Sequence, residues 1–325
     1  MAATEPAGRP FPVIALEEHY WDAELVSQLT GAEGTRSKPL LDRLYDLGEV
    51  RLREMDEAGV DIQVLSHGAP SGQKLPAETG PALVRGVNDR LAAAIAKHPT
   101  RFRGFASLPT AAPEAAADEL ERCVKDHKFV GAMVHGLTNG EFLDLPKYWP
   151  IFARAEALDV PIYFHPSFPH PDVTAAYYQD YMDAFPMVIR AAWGYTVETA
   201  TQAIRLILSG VFDKHPNLKI VIGHMGETLP FLLWRINQAL SRPGHEPLDF
   251  KGKFKKHFYI TTSGNFSTPA LECSIAELGL DRIMFSIDYP FVANKPGVEW
   301  IDGLQLNAED KAALASGNAK RLLRI

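Results

Sequence analysis

One pattern constrains this chain more than any other: a short β-branched or aromatic run, then a loop, then a helical stretch of Ala, Leu and charge, repeated along its whole length. The apolar runs fall at residues 13–17, 62–66, 102–108, 129–134, 162–165, 218–222, 258–262 and 283–287. Helical stretches follow at 50–58, 81–97, 113–127, 148–158, 187–208, 229–240, 269–278 and 308–323, the last with a break expected at Gly317. Strict alternation predicts parallel strands with crossover helices. Eight such units predict an α/β fold of the (β/α)8 TIM-barrel type rather than an open sheet. No glycine-rich turn follows the first run, which argues against a dinucleotide-binding fold. Residues 21–48 and 170–186 are long for loops and follow strands, so they are expected as insertions over the catalytic face.

The 325 residues suit one barrel domain spanning 11–325, with 1–10 read as a flexible tail lacking the apolar core of a signal peptide. A formal charge of −7 gives no general attraction to nucleic acid or anionic lipid, and no 18-residue apolar span crosses a membrane. Cys123 and Cys273 are too far apart in sequence for a ligand cluster or a disulfide framework. The expected setting is cytoplasmic, with neither nucleic acid nor membrane as partner.

Barrel active sites form where strands end and the following loops begin, so the strand ends are the candidate list. The first ends in Glu17 and His19, the second in Ser66 and His67, the fourth in His135, the fifth in His165, the sixth in His224 and the eighth in Asp288. Side chains alternate along a strand, so Glu17 and His19 face one way and Glu18 the other, a pincer able to bind one divalent cation. His165 closes an apolar strand before a proline, which makes it a third ligand candidate. Asp288 ends a strand too apolar for exposure, and a buried carboxylate needs a cation or donors nearby. His224 follows Gly223, with Glu227 one helical turn on and able to orient it. Each of these has an ordinary alternative as a carbonyl-bonded His, a helix-start Glu or a turn-capping Asp. Their joint placement at strand ends points to a mononuclear metal site. His98, His127, His215, His245 and His257 fall in helices or connections and read as solvated or capping residues, while His170 opens the second insertion.

Leu-Glu-Glu-His at 16–19, Tyr-Phe-His-Pro at 163–166, Gly-His-Met-Gly-Glu at 223–227 with Trp234-Arg235, Thr-Thr-Ser-Gly-Asn-Phe at 261–266 and Phe-Ser-Ile-Asp-Tyr-Pro-Phe at 285–291 carry a resemblance. Together, from about residue 11 to the C-terminus, they resemble the decarboxylase branch of the amidohydrolase superfamily, the hydroxybenzoate decarboxylases in particular. The resemblance implies one divalent ion, manganese or zinc, held by Glu17, His19, His165 and Asp288 without an organic cofactor. It implies that His224 and Glu227 line the substrate site, and that the chain assembles as a homodimer or homotetramer. Hydrolytic members open with His-x-His and often carry a lysine after the fourth strand. Here the opening is Glu-x-His and 133–136 reads Met-Val-His-Gly, which disfavours a binuclear hydrolase.

The chemistry so implied is redox-neutral decarboxylation, reversible as carboxylation, of a hydroxybenzoate-type aromatic acid. Asp288 serves as proton donor to the ring carbon, with His224 and Glu227 holding the phenol oxygen or relaying the proton. A carboxylate on a cation binds in its ionised form, so Asp288 must take that proton from the substrate phenol or from His224. Trp21, Tyr178, Tyr181 and Phe291 are expected as apolar walls, His67 as a substrate contact, and Arg235 as the partner of a carboxylate. The alternatives are a metal-dependent hydrolase or hydratase acting on a lactone, amide or enol acid, and a silent barrel that only binds.

Overall fold

The computed structural model describes residues 9–242 and 246–325. His245 and most of the expected tail thus lie outside the described residues. At the tail's inner end, Arg9 pairs with Asp302 at 2.5 Å.

Among the described residues there are eight strands, β1 (Ile14–Tyr20), β2 (Ile62–His67), β3 (Phe102–Gly104), β4 (Ala132–His135), β5 (Ile162–His165), β6 (Ile220–Ile222), β7 (Phe258–Thr261) and β8 (Ile283–Met284). They pair in parallel and in sequence order, β1 to β3 in one ladder and β4 to β8 in another. Both seams are closed. Between β3 and β4, Ala106 bridges Ala132, and its N–H bonds the Gly131 carbonyl at 2.9 Å. Between β8 and β1, the His19 N–H donates to the Tyr289 carbonyl at 2.6 Å, and Ser286 Oγ accepts from the Glu17 N–H at 2.6 Å.

The period-two pattern sorts the side chains into two layers. Ile14, Leu16, Val64, Phe105, Met133, Tyr163, Val221 and Met284 fill the barrel interior, whose lower end is plugged by Ala319, Leu322 and Leu323 from the C-terminal helix. Their neighbours Val13, Ala15, Leu65, Ala132, Val134, Ile162, Phe164, Ile220 and Ile222 face outward into the helix layer. A one-residue bulge in β1 between Ala15 and Glu18 changes the phase of the strand, so Leu16 fills the interior while Glu17 still reaches the site above it.

Several expectations are corrected. Strand β8 stops at Met284 rather than continuing to Ile287, because Ser286, Ile287 and Tyr289 bond to the side chains of Thr262 and Glu18 instead of a neighbouring strand. The helix expected from Met187 begins only at Gly194, where a Cβ would lie 2.5 Å from the Ile189 carbonyl oxygen; residues 187–193 form turns. Gly317 does not break the last helix. A π-helical turn at Ala313–Gly317 carries the chain through, its Leu314 carbonyl accepting from the Phe285 N–H at 3.1 Å. The insertions are partly helical, at Ala23–Val26 and Lys38–Tyr45 in the first and at Pro171–Tyr177 and Gln179–Met182 in the second. His215 and His257 are not solvated. His215 bonds Glu156 at 3.0 Å, while His257 bonds the Leu218 carbonyl at 2.8 Å and stacks on Phe212.

Candidate metal centre

The upper ends of β1, β5 and β8 bring Glu17, His19, His165 and Asp288 together, with one donor atom from each within 4.8 Å of the others. His19 Nε2 lies 3.3 Å from Asp288 Oδ1, His165 Nε2 lies 3.3 Å from Glu17 Oε1, and His19 Nε2 lies 3.9 Å from Glu17 Oε1. Ligands about 2.1 Å from a common cation sit roughly 3 to 3.5 Å apart, so the spacing fits one ion. Glu17 Oε1, His19 Nε2 and Asp288 Oδ1 are buried and have no hydrogen-bond partner, which is costly unless something charged lies between them. Two carboxylates and two imidazoles suit manganese, zinc or iron.

The remaining atoms of these side chains are held. Tyr163 Oη and Ser263 Oγ donate to Glu17 Oε2, the latter at 2.6 Å, and leave Oε1 facing inward. His165 Nδ1 donates to the Pro166 carbonyl at 2.7 Å, which leaves the lone pair on Nε2 facing the centre, and His19 Nδ1 lies 3.1 Å from Ser66 Oγ. His135 Nδ1 sits 3.0 Å from His165 Nδ1, where it can only accept. Burial and the neighbouring His165 hold it well below the ordinary imidazole range, in the neutral form that this contact requires.

After β6 the backbone does something unusual. His224, Met225, Gly226, Glu227 and Thr228 all have positive φ, from 50° to 77°, so the segment expected as a right-handed helical turn is left-handed. Left-handed geometry is disfavoured by roughly 1–2 kcal/mol per non-glycine residue, and strain of this kind gathers at functional sites. It places His224 Nδ1 2.6 Å from Glu227 Oε1 and His224 Nε2 3.5 Å from Glu17 and 3.9 Å from Asp288 Oδ2. Gly223 is required just before it, since a Cβ there would meet Glu17 Oε2 at 2.5 Å.

Burial alone would lower His19 and His224 and raise Glu17. The carboxylates of Asp288 and Glu17 instead raise His19 to about 9, those of Glu227 and Glu17 hold His224 well above the imidazole range, and the imidazoles of His224 and His165 hold Glu17 well below the carboxylate range.

The expected substrate contacts divide. Phe291 lies edge-on to His19, ring centres 5.6 Å apart, and Arg36 covers both Phe291 and the buried Trp21. His67 is buried against Tyr20 with Nε2 unpartnered, and Tyr178 is buried in the second insertion. Tyr181 is 61% exposed and Arg235 lies on the exposed face of the Leu229–Leu240 helix, so neither walls the centre within one chain. Sequence reasoning missed Tyr163, Thr261 and Ser263. Thr261 and Ser263 stand in a motif already singled out, but hydroxyls at a strand end read as turn formers, and nothing local marks them as carboxylate holders.

The amidohydrolase family model matches residues 18–325. The chain belongs to the amidohydrolase family. Within it, curated relatives 36–41% identical over nearly the full chain are named as decarboxylases, so this amidohydrolase is a carboxy-lyase of that branch. The γ-resorcylate decarboxylase of Polaromonas sp. strain JS666 is 41% identical across 96% of this chain and 98% of that protein. A solved dihydroxybenzoic acid decarboxylase from the same strain, with bound manganese and the inhibitor 2-nitroresorcinol, is 38% identical, covers 97% of each chain and superposes with a TM-score of 0.86. The 5-carboxyvanillate decarboxylase of Sphingomonas paucimobilis is 36% identical over 97% of this amidohydrolase and 99% of its own chain, with a TM-score of 0.89. These likenesses support the barrel fold and the decarboxylase class.

Proposed function

We propose that this protein decarboxylates a hydroxybenzoate-type acid such as 2,6-dihydroxybenzoate, reversibly and without an organic cofactor. The observation that carries the proposal is the convergence of Glu17, His19, His165 and Asp288, three of them with an inward donor atom that is buried and unpartnered. A divalent ion held there, manganese or zinc, supplies Lewis-acid charge to a carboxylate and its neighbouring phenolic oxygen.

The protein's own residues supply the protons. Asp288, whose side chain is 17% exposed, delivers a proton to the ring carbon that bears the carboxylate. The C–CO2 bond then breaks, its electron pair restores the aromatic ring, and carbon dioxide leaves. His224, its Nδ1 2.6 Å from Glu227 Oε1 and its Nε2 3.9 Å from Asp288 Oδ2, stands where it can reload Asp288 or hold the phenol oxygen. Trp21, Phe291 and Tyr178 form apolar walls with His67 at their edge, while Tyr181 and Arg235 contribute only through a second copy of the chain. Exposed Tyr177, Phe185, Trp193, Phe231 and Trp234 support self-association as a homodimer or homotetramer, which sedimentation measures. The two unpaired cysteines favour a reducing, cytoplasmic setting.

The test is carbon dioxide release from a panel of hydroxybenzoates with manganese and with zinc. Turnover that is lost on chelation and restored by the metal is expected; retained carboxylate across the panel overturns the reading. No helix among the described residues is long and apolar enough to cross a membrane.

A further inference from the structure

Glu18 stands between two residues of the metal centre yet points away from it. Its side chain is fully buried. Oε1 accepts from the Ile287 N–H at 2.9 Å and from Ser286 Oγ at 3.3 Å, and Oε2 accepts from the Tyr289 N–H at 3.1 Å. Ile287 and Tyr289 are the residues on either side of Asp288, whose own φ is +71°. Strand pairing has already ended at Met284, so the Glu18 carboxylate takes over as the acceptor for this last stretch.

Tyr289 is gripped from every side. Its carbonyl accepts from the His19 N–H at 2.6 Å, its hydroxyl donates to Glu54 at 2.9 Å, and the Arg51 guanidinium lies 4.6 Å from its ring centre. Arg51 is itself fully buried, bonding Gln63 at 3.0 Å and the His19 carbonyl.

We propose that Glu18 is a positioning residue for Asp288: by bridging the two N–H groups that flank it, Glu18 locks the left-handed turn that aims the Asp288 carboxylate at the centre. Only a carboxylate of this length does so. Glutamine offers one acceptor and one donor, so one flanking N–H always meets an NH2. Aspartate keeps both acceptors but falls short by one methylene, roughly 1.5 Å. The inference rests on the metal-dependent decarboxylase reading for its kinetic consequence but not for its structural one.

The test is Glu18→Gln in the full chain, read by manganese titration followed by electron paramagnetic resonance and by kinetics on 2,6-dihydroxybenzoate. The manganese dissociation constant is expected to rise about tenfold, as for the loss of groups that orient metal ligands. The kcat per bound manganese is expected to fall at least roughly tenfold with KM within about twofold, the pattern of a group that matters in the transition state. In an Asp288→Asn background the same change leaves manganese affinity within about twofold, because the residue it acts through is gone. Equal affinity losses in both backgrounds overturn the proposal, as does an unchanged kcat per bound manganese. Glu18→Asp, read the same way, decides the question if the glutamine variant does not fold. Wild type that releases no carbon dioxide sinks the decarboxylase reading alone, and the manganese cycle still decides the role of Glu18.

Discussion

His257 and His224 are buried or half-buried imidazoles at opposite ends of neighbouring strands, one just before β7 and the other just after β6. At the lower end, His257 gives its Nδ1 proton to the Leu218 carbonyl and stacks on Phe212 with ring centres 4.2 Å apart. The backbone there is an ordinary helix running into a strand, Phe250–His257 into Phe258–Thr261. At the upper end, His224 sits in five successive left-handed residues, bonded to one carboxylate and facing two more. The lower histidine satisfies its donor and stops there. The upper rim keeps strained backbone and unpartnered donor atoms that the rest of the barrel must hold in place. Burial of a polar group is therefore no sign of function by itself; what sets the rim apart is that Glu17 Oε1, His19 Nε2 and Asp288 Oδ1 are all buried, unpartnered and turned toward one point.

The largest expected effect tests that distinction at its sharpest point. Asp288→Asn removes a proton carrier and a charge while keeping the shape. Turnover should fall about 10³-fold, in the range of general acid catalysis, when carbon dioxide release is followed under saturating manganese. Near-normal rates would take Asp288 out of the acid role.

A second test uses pH at the same rim. His67 is buried and its pKa is lowered by that burial to about 4, against about 6.5 in an unfolded chain. The folded state thus keeps the ring neutral while the unfolded state protonates it. Stability from this residue is complete above pH 6.5 and declines as pH falls from 6.5 towards 4, by up to about 3 kcal/mol. Urea unfolding of wild type and His67→Asn across that window should show a gap that varies with pH by this amount. A constant gap would mean that His67 is not held neutral.

Gly223→Ala asks whether the close approach at the rim is needed. The new Cβ would stand 2.5 Å from Glu17 Oε2 and force the carboxylate off its Tyr163 and Ser263 partners. Manganese affinity should drop about 10- to 100-fold in a titration of metal-free protein. An unchanged affinity would show that Glu17 does not hold the ion through this orientation.

The barrel was legible because alternation between periods of two and 3.6 residues is written along the chain, and the convergence of Glu17, His19, His165 and Asp288 was legible because the strands of a barrel end on one rim. Side-chain acceptors that replace backbone pairing were not. Glu18 reads as the outward tooth of a strand, and nothing near it in sequence shows that its carboxylate serves two N–H groups about 270 residues away, Ile287 and Tyr289. The left-handed turn was equally hidden, because residues 224–228 carry only one glycine and local preference favours a right-handed helix. His215 does cap a helix, as expected, but neither it nor His257 is solvated, for a related reason. Connections are usually exposed, yet both rings pack between elements that meet only in the folded barrel.

The smallest expected effect closes the comparison from the other end. His257→Phe keeps an aromatic ring against Phe212 but leaves the Leu218 carbonyl without its donor. The loss should be about 1–2 kcal/mol in urea unfolding, the range for one buried hydrogen bond whose partner stays behind. Because β6 and β7 remain paired from Ile220–Phe258 through Ile222–Ile260, the rim above should not move. Manganese affinity and kcat per bound manganese should then stay at wild-type values. If they fall together with stability, the lower seam and the metal rim are one mechanical unit, and the separation between holding the barrel together and holding the ion gives way.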